Sequence, residues 1–392
     1  MTIGKLARLL LAAAPLLAGC GNFWQAPSTT NTTPSTKLSS GVFFVLNQQT
    51  SQIAADSIVS GTLTSVTGSP YTLPGSAAPY ALAVSPNGSF LYVSASTGIY
   101  LYTIGSGGAL TLGNSSSVIS SDLATTLQVD STGQWLLEAG PNLSELLAIP
   151  INTSTGAAAS TIEQKVLLPA ASVQQLAISP NDSSTCSTCY VFVALGSAGT
   201  AVIPFSPTNS NPFGAVSTIA VKNSAGAALS VAVDPSNRLL YVGETVASSG
   251  SNTGGVRVFP IAATLTEASG SPYASGGLAP YSILPKSNGD YIYIANRAVS
   301  GSSTGNISGF AVTTTGTSYS LTALSSTASA GITPVGLAAD SSGNFLLAVD
   351  SGGSPDLEAY TFDTTTAGKL DSALTSTTGT DPVQAVAIAA VP

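Results

Sequence analysis

Apolar and polar residues alternate in short bursts along this chain, and the clearest burst is PYALAVSPNGSFLYVS over residues 79–94. Tyr80–Val84 reads as one strand and Phe90–Ser94 as a second, with Ser85-Pro86-Asn87-Gly88 as the turn between them. Proline presets φ for the turn, Asn-Gly supplies a positive φ, and the flanks are rich in strand-forming residues. The pattern returns at Thr126–Asp130 with Trp135–Glu138, at Gln175–Ser179 with Tyr190–Val193, and at Ser230–Asp234 with Leu240–Val242. Tyr281–Leu284 with Tyr291–Ile294, and Val335–Asp340 with Phe345–Ala348, continue it. The period is about 45–55 residues, the length of a four-stranded propeller blade. Weaker alternating stretches such as Ile99–Ile104, Glu145–Pro150, Val256–Ile261, Asn306–Val312 and Leu357–Asp363 predict third strands. Fourth strands are poorly marked.

The two ends complement each other. Pro382–Ile388 reads as a first strand with no second strand after it, and Val42–Asn47 as a second strand with no first before it. Pairing them makes a seventh blade and removes the exposed edges that an open β array would leave. The expected fold is therefore an all-β, seven-bladed β-propeller of four-stranded blades over residues 41–392.

Composition narrows the function. Only 7% of residues are charged while 44% are hydrophobic, which argues against a disordered chain. The net charge is −8 and the ten basic residues form no cluster, so a nucleic-acid partner is not expected. At the amino end, Lys5 and Arg8 precede the apolar run Leu9–Leu17, which is too short to span a bilayer and reads as a signal peptide. Leu17-Ala18-Gly19-Cys20 resembles the bacterial lipobox, in which the chain is cut before the cysteine and the thiol is acylated. That resemblance implies a signal peptide over 1–19 and a membrane partner through lipid on Cys20. Glycine rather than aspartate at position 21 implies the outer membrane if the host is Gram-negative. Residues 20–40 would be the acylated cysteine and a Ser/Thr/Pro tether, and no later segment is apolar and long enough to cross a bilayer.

Tyr92-Val93-Ser94 and Tyr241-Val242-Gly243, each after a Pro-x-Gly or Pro-x-Asn turn, resemble the YVTN repeat of lactonase-type seven-bladed propellers. Gly-Ser-Pro-Tyr at Gly68–Tyr71 and Gly270–Tyr273, and Ala-Pro-Tyr ending at Tyr80 and Tyr281, extend the resemblance over the domain from about Gly41 onward. It implies a central funnel holding a general base and cationic groups. A histidine base has no counterpart here, because the chain contains no histidine. Ser-His-Asp and Cys-His catalysis and histidine-ligated metals are thereby excluded, leaving carboxylates, tyrosine or metal-bound water for any hydrolysis.

Second-strand ends place Asn47, Ala95, Gly140, Leu195, Glu244, Asn296 and Asp350 at equivalent positions, with Arg297 beside Asn296. Asn47, Glu244, Asn296 and Asp350 come from four consecutive blades and are candidate oxygen ligands for Ca²⁺, although no cofactor is required. Alternatively, Glu244 or Asp350 would act as base while Arg297 binds an anionic group, with Asn47, Asn296, Tyr80 and Tyr281 contacting the ligand. Strand ends also reach solvent, where such residues are ordinary. Glu138 takes the place of Val93 and Val242 and would need a partner or a raised pKa, unless the strand is irregular before Gly140-Pro141. Asp130, Asp234 and Asp340 open hairpin turns, where a carboxylate accepts turn N–H groups. Cys186 and Cys189 predict a small disulfide loop in an exported protein. Two functions remain open: a monomeric envelope lipoprotein presenting a binding or scaffolding surface to an envelope protein or glycan, and a lactone (phosphogluconolactone-like) hydrolase.

Overall fold

The computed structural model describes residues 41–141, 144–160, 163–180, 189–246, 254–302, 304–353, 356–375 and 384–392. The expected signal peptide, Cys20 and tether lie outside the described residues, as does Cys186. Every named strand belongs to one of seven antiparallel sheets, each built on a path of four strands. Blade 1 comprises Pro79–Val84, Phe90–Ala95, Gly98–Ile104 and Leu110–Leu112. Blades 2 to 6 begin with first strands Thr126–Val129, Gln175–Ile178, Ala228–Val233, Leu278–Pro285 and Ile332–Ala339. Blade 7 takes its first strand, Ala385–Ala390, from one end of the domain and its second, Val42–Asn47, from the other. The pairs run from Phe43 with Ala390 to Asn47 with Ala385. The chain is a seven-bladed propeller closed by its terminal strands.

Strand periodicity explains the closure. Successive side chains point to opposite faces, so each blade presents one apolar face to each neighbour. Phe43 packs toward blade 6 and Phe44 toward blade 1. Leu136 and Leu137 divide between blades 1 and 3, and Leu240 and Tyr241 between blades 3 and 5. Among the described residues the core consists of seven apolar clusters, one at every junction between successive blades. The ring is completed by burial of apolar area, worth roughly 25 cal/mol per Å².

The hairpin turns carry the expected carboxylates. Asp130 Oδ1 accepts the Trp135 N–H at 2.7 Å and Asp340 Oδ1 the Phe345 N–H at 2.7 Å. Ser85 plays the same part for Phe90 at 2.9 Å. First strands crowd the axis, and side chains of one blade satisfy backbone donors of the next. Thr126 Oγ1 accepts from Leu176 N (3.3 Å), Gln128 Oε1 from Ile178 N (3.0 Å), Gln175 Oε1 from Val231 N (3.0 Å) and Ser282 Oγ from Leu337 N (3.1 Å). These bonds cap inner edges that would otherwise leave buried N–H groups unpaired.

Candidate functional site

The first strands surround a central cavity of about 730 Å³. A β-bulge decides which side chains reach it. In blade 1 the register steps from Pro79–Ala95 to Ala81–Ser94, leaving Tyr80 unpaired, and in blade 5 it steps from Pro280–Asn296 to Ser282–Ala295, leaving Tyr281 unpaired. A bulge re-aims the extra residue, and both tyrosines line the cavity. Arg297 lines it too, its guanidinium carbon 3.2 Å from the centroid of the Tyr281 ring. This cation–π contact leaves Arg297 Nε buried without a hydrogen-bond partner. Across the ring, Thr125 lines the same cavity, and its Oγ1 is likewise buried and unpartnered. Among the described lining residues Arg297 is the only Asp, Glu, Lys or Arg. The cavity is therefore a largely aliphatic site with two tyrosines and one side-chain cation, in a chain of net charge −8.

The structure does not bring Asn47, Glu244, Asn296 and Asp350 together on the axis. All four are buried in their own blades, and none lines the cavity. Asn47 caps a turn, its Oδ1 accepting Thr50 N–H at 3.1 Å. Glu244 Oε1 lies 2.8 Å from Arg257 Nη1, and its Oε2 accepts Lys222 N–H at 2.9 Å. Arg257 in turn grips Glu267 through Nε (3.2 Å) and Nη2 (3.0 Å). Asn296 Nδ2 sits 3.0 Å from Ser275 O, Asn306 Oδ1 and Ser308 Oγ. Asp350 faces Glu358, and burial raises the pKa of both carboxyl groups. Two such neighbouring buried carboxyl groups oppose each other's ionisation.

A rule connects these residues. Arg257, Ser308 and Glu358 stand opposite Val242, Ile294 and Ala348, each two residues before the second-strand end. The strand-end group thus meets a polar group from its own third strand: Glu with Arg, Asn with Ser, Asp with Glu. Polar breaks within the apolar third strands were the sequence signal for Arg257, Ser308 and Glu358. Cys189 is buried and disulfide-bonded, while its expected partner Cys186 lies outside the described residues.

No family model and no curated protein matches the chain. Solved structures do. The periplasmic gluconolactonase PpgL of Pseudomonas aeruginosa superposes with a TM-score of 0.64 at 16% identity, covering 90% of this chain and 99% of that one. What the two chains share is the seven-bladed propeller fold. A Bacteroides uniformis protein described as a candidate 6-phosphogluconolactonase gives a TM-score of 0.64 at 17% identity over 89% of this chain and 98% of its own. Kuenenia stuttgartiensis hydrazine synthase gives 0.55 at 15% identity over 88% of this chain and 100% of that chain. Such different chemistries on one propeller frame mean that the activity must be argued from the site.

Proposed function

We propose that this protein is an exported, lipid-anchored propeller that binds a hydroxyl-rich anion, a sugar acid free or at the end of an envelope glycan, in its central cavity. One observation carries the reading: Arg297 stands in the cavity with an unpartnered Nε and no side-chain carboxylate among the described lining residues. A carboxylate ligand would take the guanidinium in a charge-assisted hydrogen bond. The Tyr80 and Tyr281 rings add apolar surface for a sugar to the cavity wall. Lactone hydrolysis, suggested by the names of the gluconolactonase neighbours, needs a proton acceptor. Apart from the Tyr80 and Tyr281 phenols, the lining side chains supply none, which favours binding over turnover. Anchoring rests on Leu17-Ala18-Gly19-Cys20, and a monomer in the envelope is the simplest form of the reading.

The test titrates gluconate, glucuronate and 6-phosphogluconate into the full-length protein in detergent, with glucose as the neutral control. Gluconolactone hydrolysis is followed in parallel. The acids are expected to bind, Arg297→Gln to weaken them about 10- to 100-fold, and the lactone to decay at its uncatalysed rate. Lactone turnover abolished by Arg297→Gln would replace this reading with the hydrolase. For the anchor, Cys20→Ala is expected to lose palmitate labelling and leave the membrane fraction.

A further inference from the structure

Glu138 sits where blades 1, 3, 4, 5, 6 and 7 carry Val93, Val193, Val242, Ile294, Ala348 and Val45. Its strand, Trp135–Ala139, is regular: it pairs without a register shift on both sides, so irregularity does not account for the carboxylate. The residue is 1% exposed. Ser120 Oγ donates to Oε1 at 3.2 Å, but Oε2 is buried and unpartnered. The charged groups acting on it are both acidic. Asp122 comes from the connection between blades 1 and 2, and Glu163 from the residue just before the fourth strand of blade 2, Gln164–Leu167. One carboxylate oxygen from each of the three lies within 4.8 Å of the others. The nearby Lys165 is paired with Glu145 at 3.0 Å.

Three carboxylates, one of them buried with an unpartnered oxygen, cannot be held within 4.8 Å of one another without either protons or a cation to offset their charge. Oxygens bound to one calcium ion at 2.3–2.6 Å are separated by at most about twice that distance, and the three oxygens here lie within that limit. All the donors are hard oxygens. None of the three residues lines the central cavity, so the cluster is separate from the proposed ligand site. We propose that Asp122, Glu138 and Glu163 form a site for a hard, calcium-sized divalent cation, completed by water on the Glu163 side. The ion fastens the inter-blade connection to the middle and outer strands of blade 2.

The experiment uses the full-length protein, stripped with EDTA in detergent and titrated calorimetrically with CaCl₂ and MgCl₂, with thermal unfolding followed in parallel. One calcium per chain is expected, with a dissociation constant on the order of 10⁻⁴ M. Calcium should raise the melting temperature. Glu163→Gln, which alters a solvent-accessible group, should weaken binding at least about tenfold. Glu138→Val installs the residue of the equivalent strands and should abolish both the heat and the calcium-dependent stabilisation while folding normally without metal. No calcium heat and no melting shift in the wild type would overturn the site, as would binding undiminished in Glu163→Gln and Glu138→Val.

Discussion

Removing Arg257 while keeping Glu244 tests whether the strand-end carboxylate serves the fold or the ligand. The two side chains are only 8% and 2% exposed and meet at 2.8 Å. A surface pair would be worth about 0–1 kcal/mol, so burial decides which figure applies. In Arg257→Met, Glu244 keeps only the Lys222 N–H, and a buried charge stripped of its partner costs about 3–5 kcal/mol. Glu244→Gln is milder, roughly 1–3 kcal/mol, because Arg257 retains its two bonds to Glu267 and one to the Ala220 carbonyl. The double variant Glu244→Gln/Arg257→Met leaves no buried orphan charge at this pair. It should therefore lie closer to wild type than Arg257→Met does. Guanidinium denaturation of all four proteins at pH 7 completes the cycle, and gluconate binding is measured on each. Stability changes that merely add would refute the coupling. Loss of gluconate binding in Glu244→Gln at unchanged stability would put Glu244 on the ligand.

The Asp350–Glu358 pair makes stability depend on pH. Burial and the neighbouring carboxyl hold the Glu358 pKa above its ordinary 4.5, so its contribution is full below pH 4.5 and is lost as pH rises toward the folded-state value. Glu358→Gln should flatten that decline and gain on the order of 1–3 kcal/mol over wild type by pH 8; a wild-type slope persisting in the variant from pH 5 to 9 would contradict it. Equivalent tyrosines should respond differently to loss of the hydroxyl. Tyr92 donates to the Gly156 carbonyl at 2.9 Å, whereas the buried Tyr241 hydroxyl has no partner. Tyr92→Phe should cost about 1 kcal/mol and Tyr241→Phe nothing or less, and equal melting shifts would sink the distinction.

The blades were legible because a short turn rich in Asp, Ser, Asn and Gly between alternating apolar runs is a local signal. The third strand of blade 3, Thr200–Pro204, gave no such signal: it is buried on both faces and shows no polar alternation. Fourth strands such as Ser217–Ile219 and Tyr273–Ala274 were faint because they are short and mostly solvated. Tyr80, Tyr281 and Arg297 reached the cavity through bulges and a strand end, features tied to recurrent sequence positions. Glu244 and Asp350 shared those positions, yet their side chains turn to Arg257 and Glu358, partners set by cross-strand register. Asp122 and Glu163 were invisible beforehand, since only the folded blade and the connection leading into it carry them to Glu138.

Val42–Asn47 is an interior strand, paired to Ala385–Ala390 on one side and Gln52–Val59 on the other. A pull applied through the chain ahead of Gly41 cannot peel an edge away one bond at a time. It must slide the strand lengthwise against both neighbours, rupturing two ladders together and dragging Phe43 and Phe44 out of opposite faces. The ring is thus fastened by two ladders at the point where a tether would load it.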